Sequence, residues 1–187
     1  DINGHAATTS AAAPPLSPQV GMGCAVSSLA FPAPPLDREF YESRGLLRRR
    51  DLIYLTTSKN ERIPAIYKRS PHPGGKNDDN RLTIIYSHGN AEDIGLHLPF
   101  VDALSYVTGC DVLSYEYVGY SLSRTDEGAD PSESGCLRSI DAAWRYLVSD
   151  RQIPANRIVL YGRSIGTGPT VDLASRSSVE GLGNIAD

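Results

Sequence analysis

The sequence predicts an α/β domain, a mostly parallel sheet with helices on its faces. Two observations lead there. The runs Leu82-Thr83-Ile84-Ile85-Tyr86 and Ile158-Val159-Leu160-Tyr161 are almost continuously apolar, as expected of strands buried on both faces. Between and beyond them lie segments whose apolar residues recur at helical spacing, so strand and helix alternate.

The elements follow in chain order. Residues 1–36 are rich in Ala, Pro and Ser, and Ala11-Ala12-Ala13-Pro14-Pro15 and Phe31-Pro32-Ala33-Pro34-Pro35 read as loop or polyproline segments of a disordered tail. Leu52 to Leu55 and Ile63 to Tyr67 are two short strands joined by the polar turn Ser58 to Glu61. Ser70 to Asn80 is a loop dense in Pro, Gly, Asn and Asp, and Leu82 to Tyr86 is a buried strand. Ile94, Leu98, Val101 and Leu104 share one face of a helix that Gly109 ends as a C′ residue. Val112 to Tyr115 is a strand, and Gly119 to Gly135 a long polar loop. Leu137, Ile140, Trp144 and Leu147 mark a second amphipathic helix. After Pro154 the strand Ile158 to Tyr161 leads through Gly162–Gly168 into a third helix that runs through Leu173.

Composition narrows the function classes. The chain has 187 residues, 40% hydrophobic and 21% charged, which suits one domain with a core. A net charge of −4 argues against nucleic acid as the main partner. No uninterrupted apolar run reaches the roughly 18 residues of a membrane-spanning helix. The three cysteines, Cys24, Cys110 and Cys136, make neither a disulfide framework nor a metal-ligand spacing, which suits a reducing compartment. Neither a metal nor a cofactor is expected, and a monomer is.

Gly162-Arg163-Ser164-Ile165-Gly166 carries the chemistry. Gly-x-Ser-x-Gly is a weak pattern by itself, but here it follows a buried strand and opens a helix, as a nucleophile elbow must. Gly162 and Gly166 let the chain turn sharply and lift the Ser164 hydroxyl above the sheet. The helix start supplies backbone N–H groups and a positive dipole end, both suited to an oxyanion. Ser87-His88-Gly89-Asn90-Ala91 follows the earlier buried strand, where an α/β hydrolase places the loop that completes its oxyanion hole. The donors are assigned to Ile165 and to Asn90, with Ala91 the alternative to Asn90. His88 and Gly89 shape the loop. His88 precedes the nucleophile in the chain and is read as structural rather than as the catalytic base.

Ser87 to Ala91, Asp141-Ala142-Ala143-Trp144 and Leu160 to Arg176 together resemble the α/β-hydrolase domain-containing depalmitoylase subfamily, over residues 82–176. Phe31 to Pro35 after an acylatable start resembles the N-terminus of that family. The resemblance implies the α/β-hydrolase fold and a serine thioesterase that removes palmitate from S-acylated proteins through an acyl-enzyme on Ser164. It also implies a lipid-anchored protein on the cytoplasmic face of plasma or endosomal membranes. The family usually has glutamine where Arg163 stands.

Two further expectations concern the ends. Met22-Gly23-Cys24-Ala25-Val26-Ser27 fits an N-myristoylation signal if translation begins at Met22, the sole methionine. Gly23 would carry the first acyl chain and Cys24 a second, and two chains anchor where one binds only marginally. Arg44 and Arg48-Arg49-Arg50 read mainly as a solvated face. All four histidines (His5, His72, His88, His97) precede Ser164, whereas an α/β hydrolase orders its triad Ser, then acid, then His. Asp172 lies on the helix right after the elbow and is read as a surface residue. The chain therefore holds neither triad acid nor triad histidine. It is expected to be the N-terminal part of a hydrolase domain (residues 37–176) truncated after the helix that follows the elbow, with an unrelated tail at 177–187, and to be inactive as it stands. The alternatives are a non-catalytic, membrane-tethered binding module, or an esterase or peptidase of the same fold. A nucleotide-binding reading fails, because no lysine follows the glycine turn as a phosphate loop requires.

Overall fold

A computed structural model describes residues 30–34, 38–72, 81–123 and 130–179. Gly23 and Cys24, and residues 180–187 of the C-terminal tail, lie outside the described residues.

Five strands form one sheet in the order β1-β2-β4-β3-β5. They are β1 (Leu52–Thr56), β2 (Arg62–Lys68), β3 (Thr83–Ser87), β4 (Asp111–Tyr115) and β5 (Ile158–Gly162). The helices are α1 (Arg38–Ser43), α2 (Leu98–Thr108), α3 (Glu133–Arg145) and α4 (Thr167–Val179). β4, β3 and β5 run parallel, and the β1–β2 hairpin adds antiparallel to the β4 edge. Every residue of β3 and β4 is buried, which is why neither alternates between an apolar and a solvent-facing position.

Adjacent strand residues point to opposite faces, and this divides the core in two. Ile85, Leu113 and Tyr115 face α3 and α4 with Ile140, Trp144, Leu147 and Leu173. Ile84, Tyr86 and Val112 face α1 and α2 with Tyr41, Leu46, Ile94, Leu98 and Val101. Each fully buried aliphatic side chain contributes about 1.5–3 kcal/mol relative to exposure, so the two layers hold the strand ends in place.

Several local expectations are adjusted. Ile94 is buried but lies in the turn before α2, which starts at Leu98 with Pro99 in its first turn. Gly109 does end α2, at φ +68. Within Gly119–Gly135 the chain forms a 3₁₀ turn at Ser121–Ser123, and α3 begins at Glu133, where the Ser132 side chain accepts the Gly135 N–H at 3.2 Å. That cap is what starts the helix earlier than its apolar stripe suggests. Leu147 sits on a π-turn, Tyr146–Asp150, that continues α3. Phe31 and Ala33, placed in the disordered tail, pack against the core with Ile165 and Leu160 as neighbours on the same cluster, because their apolar area finds partners there. Arg49 pairs with Asp51 and Asp102 instead of forming a free basic face. Among the described residues no helix is long and apolar enough to cross a membrane.

Candidate active site

β5 ends at Gly162, and two residues later the chain turns through Ser164 at φ +52. A serine in that left-handed region is strained, since its Cβ crowds the backbone. The turn is held by Gly166 N–H donating to Arg163 O (2.9 Å) and by Thr167 N–H donating to the Ser164 and Ile165 carbonyls. Close approach fixes both glycines. A Cβ on Gly162 would stand 2.5 Å from Gly166 O and 2.6 Å from Thr170 Oγ1. A Cβ on Gly166 would overlap the backbone carbonyls of Ser87 and His88. Thr170 Oγ1 donates to Ser87 Oγ (3.1 Å), and Ser87 Oγ meets Tyr115 OH (2.7 Å), which seats the start of α4 on the end of β3.

The loop after β3 lies against this turn. A Cβ built on Gly89 would come 3.7 Å from Ser164 Cβ. Ser164 is exposed, so a substrate carbonyl can reach it. The Ile165 N–H lies outside the hydrogen bonds that close the elbow. On the opposing loop the Ala91 N–H is taken by Asn90 Oδ1 (3.2 Å), and the Nδ2 of the same side chain donates to Ala30 O (2.9 Å). Of the two loop donors considered, Asn90 therefore keeps the freer backbone N–H, and its side chain ties the segment around Ala30 to the site.

His88 is fully buried and both ring nitrogens are engaged, Nδ1 with Gly89 O (2.9 Å) and Nε2 with Glu116 Oε1 (2.8 Å). Burial works against its charge. The Glu116 carboxylate and the Gly89 carbonyl outweigh that and hold its pKa above the ordinary imidazole value. Glu116 also accepts the backbone N–H groups of Ile94 (2.9 Å) and Tyr117 (3.0 Å). The ring stacks on Tyr117, with centroids 4.2 Å apart, so His88 braces the loop rather than meeting Ser164. His72 bonds to Tyr106 O (2.7 Å), and His97 Nε2 to Ser114 Oγ (2.6 Å). Asp172 pairs with Arg176 one turn on along α4, and the Arg176 guanidinium also reaches Asp141 on α3, so the arginine joins the two helices.

Sequence reasoning missed Glu92 and Glu116. Glu92 Oε2 accepts the Gly89 N–H (3.0 Å), and its Oε1 pairs with the Arg163 guanidinium. One signal was in the sequence: Glu92 directly follows the Ser87 to Ala91 loop, and Arg163 lies within the elbow.

No family model matches the chain. It is 36% identical over 126 residues to α/β hydrolase domain-containing protein 17C of Mus musculus, an alignment that covers 67% of this chain and 36% of that protein. It is 43% identical over 97 residues to the Xenopus tropicalis protein of the same name, covering 52% and 30%. The chain thus spans about a third of the length of the curated relatives it matches. Among solved structures, an α/β hydrolase from Vibrio vulnificus superposes with a TM-score of 0.64 at 17% identity, covering 93% of this chain and 60% of that one. An esterase from Pyrobaculum calidifontis gives 0.52 at 18% identity, covering 90% and 55%. The described residues carry the α/β-hydrolase fold, and the chain resembles the N-terminal part of the α/β hydrolase domain-containing protein 17 family.

Proposed function

We propose that the protein is a serine hydrolase acting through Ser164, and that its substrates are S-palmitoylated proteins. The observation that carries the first half is the strained, exposed Ser164 between β5 and α4, with Gly89 beside it. The second half rests on the resemblance of its three motifs to depalmitoylases.

In this reading the Ser164 oxygen attacks the thioester carbonyl and gives its proton to a base. The oxyanion is held by the Asn90 and Ile165 backbone N–H groups. Collapse breaks the C–S bond, the cysteine sulfur leaves and takes up a proton, and palmitate is left as an ester on Ser164. Water then hydrolyses that ester to free palmitate and regenerates the hydroxyl. A serine needs an activating base for this. Each described histidine bonds to a group other than Ser164, so the described residues by themselves are expected to react only at a residual rate. Acylation at Gly23 and Cys24 would hold the protein on the membrane that carries its substrates.

The test is hydrolysis of a palmitoyl-thioester peptide by the native protein and by its Ser164→Ala variant. Palmitate release that disappears in the variant supports the reading. Release that persists in the variant, or none from a folded native protein, contradicts it. The bonds of the described histidines to groups other than Ser164 favour one other reading, a tethered module that binds acylated peptides without turning them over, and that reading predicts peptide binding unchanged by Ser164→Ala.

A further inference from the structure

The loop after β3 gathers two imidazoles and a carboxylate. One ligating atom from each of His88, Glu92 and His97 lies within 4.8 Å of the others. One nitrogen of each ring is already oriented, His88 Nε2 by the Glu116 carboxylate (2.8 Å) and His97 Nε2 by Ser114 Oγ (2.6 Å), which leaves Nδ1 of each as the nitrogen to ligate. Such outer contacts fix the tautomer of a metal-binding histidine and turn its second nitrogen toward the metal. His97 is 5% exposed, and its Nδ1 is buried without a hydrogen-bond partner. A buried, unpaired ring nitrogen is costly unless something coordinates it.

We propose that His88, Glu92 and His97 form a binding site for a divalent transition-metal ion, with zinc the natural occupant. Two imidazoles and one carboxylate form a mixed nitrogen and oxygen set that suits zinc, and three protein ligands leave a fourth position for water. At zinc–ligand distances of about 2.0–2.2 Å, tetrahedral ligand atoms stand about 3.4 Å apart, so the cluster would have to draw in by up to about 1.4 Å. His88 Nδ1 would release its proton to solvent and give up its contact with Gly89 O on binding the metal. Sequence spacing concealed the set, because the three residues lie on a loop and a helix cap rather than on one helical face.

Arg163 is the competitor. Its guanidinium pairs with the same Glu92 carboxylate and would repel a dication. Metal and Arg163 therefore exclude one another at Glu92, and the ion would also loosen the link between the Gly89 loop and the elbow. Neither consequence, nor binding itself, rests on Ser164 being the nucleophile.

Co²⁺ is titrated into the chelator-stripped chain, and its visible absorption is followed, with circular dichroism as the check on folding. The proposal expects one saturable Co²⁺ per chain with the absorption of a four-coordinate ion, displaced by Zn²⁺. His97→Ala should abolish the band. Glu92→Gln should weaken binding by more than the roughly 10–100-fold that loss of an outer-shell partner costs. Arg163→Gln should strengthen it. If His97→Ala fails to fold, Glu92→Gln, at a half-exposed position, decides. No saturable band from the folded chain, or a band that survives Glu92→Gln at undiminished affinity, overturns the proposal.

Discussion

Glu92 and Arg163 form an ion pair that joins the loop after β3 to the elbow carrying Ser164, across 71 residues of sequence. Glu92 is the hub of this link, because its second oxygen also holds the buried Gly89 N–H. The two partners are not equivalent. Removing Arg163 leaves the Gly89 bond intact, whereas removing Glu92 breaks both contacts.

Glu92→Ala is therefore expected to cost about 1–3 kcal/mol, the penalty of leaving a buried N–H unpaired. Arg163→Gln should change stability little, because the guanidinium is exposed and surface pairs contribute little. Urea denaturation of the two variants checks this. Equal losses would show that Gly89 does not depend on Glu92.

The three glycines around the elbow should respond differently. Gly162→Ala and Gly166→Ala place a methyl group into backbone or a packed threonine, and each is expected to cost about 1–3 kcal/mol or more. A Cβ on Gly168 meets nothing within 4 Å, and Gly168 lies in α4, so Gly168→Ala should stabilise by about 0.4–1 kcal/mol. Thermal melts of the three variants give the ranking.

Ser164→Gly should stabilise the fold by about 1 kcal/mol, because glycine adopts φ +52 without strain. Ser164→Ala should not, since its Cβ keeps the strain. Both should abolish acyl transfer. A Ser164→Gly variant that is less stable than the parent in denaturant would argue against stored strain at the elbow.

The two buried histidines pull stability in opposite directions with pH. His88 has a raised pKa, so its contribution is complete below about pH 6.5 and is lost as pH rises through the folded value. His97 is pushed well below the ordinary value by burial and by the positive charge of His88 and Arg163, so its contribution is complete above about pH 6.5 and is lost as pH falls. His97→Gln should therefore reduce the loss of melting temperature between neutral and mildly acidic pH. Glu116→Gln breaks a buried pair and should cost about 3–5 kcal/mol, with the alkaline-side decline removed. A pH profile unchanged in His97→Gln would contradict the assignment of the acid-side loss to His97.

β3 was legible because it is buried on both faces and leaves an apolar run, whereas Ile158–Tyr161, expected to be buried on both faces, forms β5 at the edge of the described sheet with Val159 and Tyr161 exposed; Gly109 marked the end of α2 through its left-handed backbone. The elbow was legible because strand, glycine turn and helix are local in sequence. What escaped notice was long-range. Glu116 reaches His88 from 28 residues away, and its role depends on a sheet register that no periodicity encodes. Phe31 and Ala33 looked like tail because proline-rich composition dominates a window, while packing is decided by which apolar groups find a partner. The extent of α3 was hidden by Ser132, whose cap outweighs the weak apolar signal of the first turn.

The central claim is that Ser164 is the nucleophile, and the most direct test is a fluorophosphonate probe on the native protein, with the adduct mapped by peptide mass. The account predicts a covalent adduct on Ser164, absent in Ser164→Ala. A folded native protein that carries no adduct at Ser164, or carries it on another residue, would contradict the account.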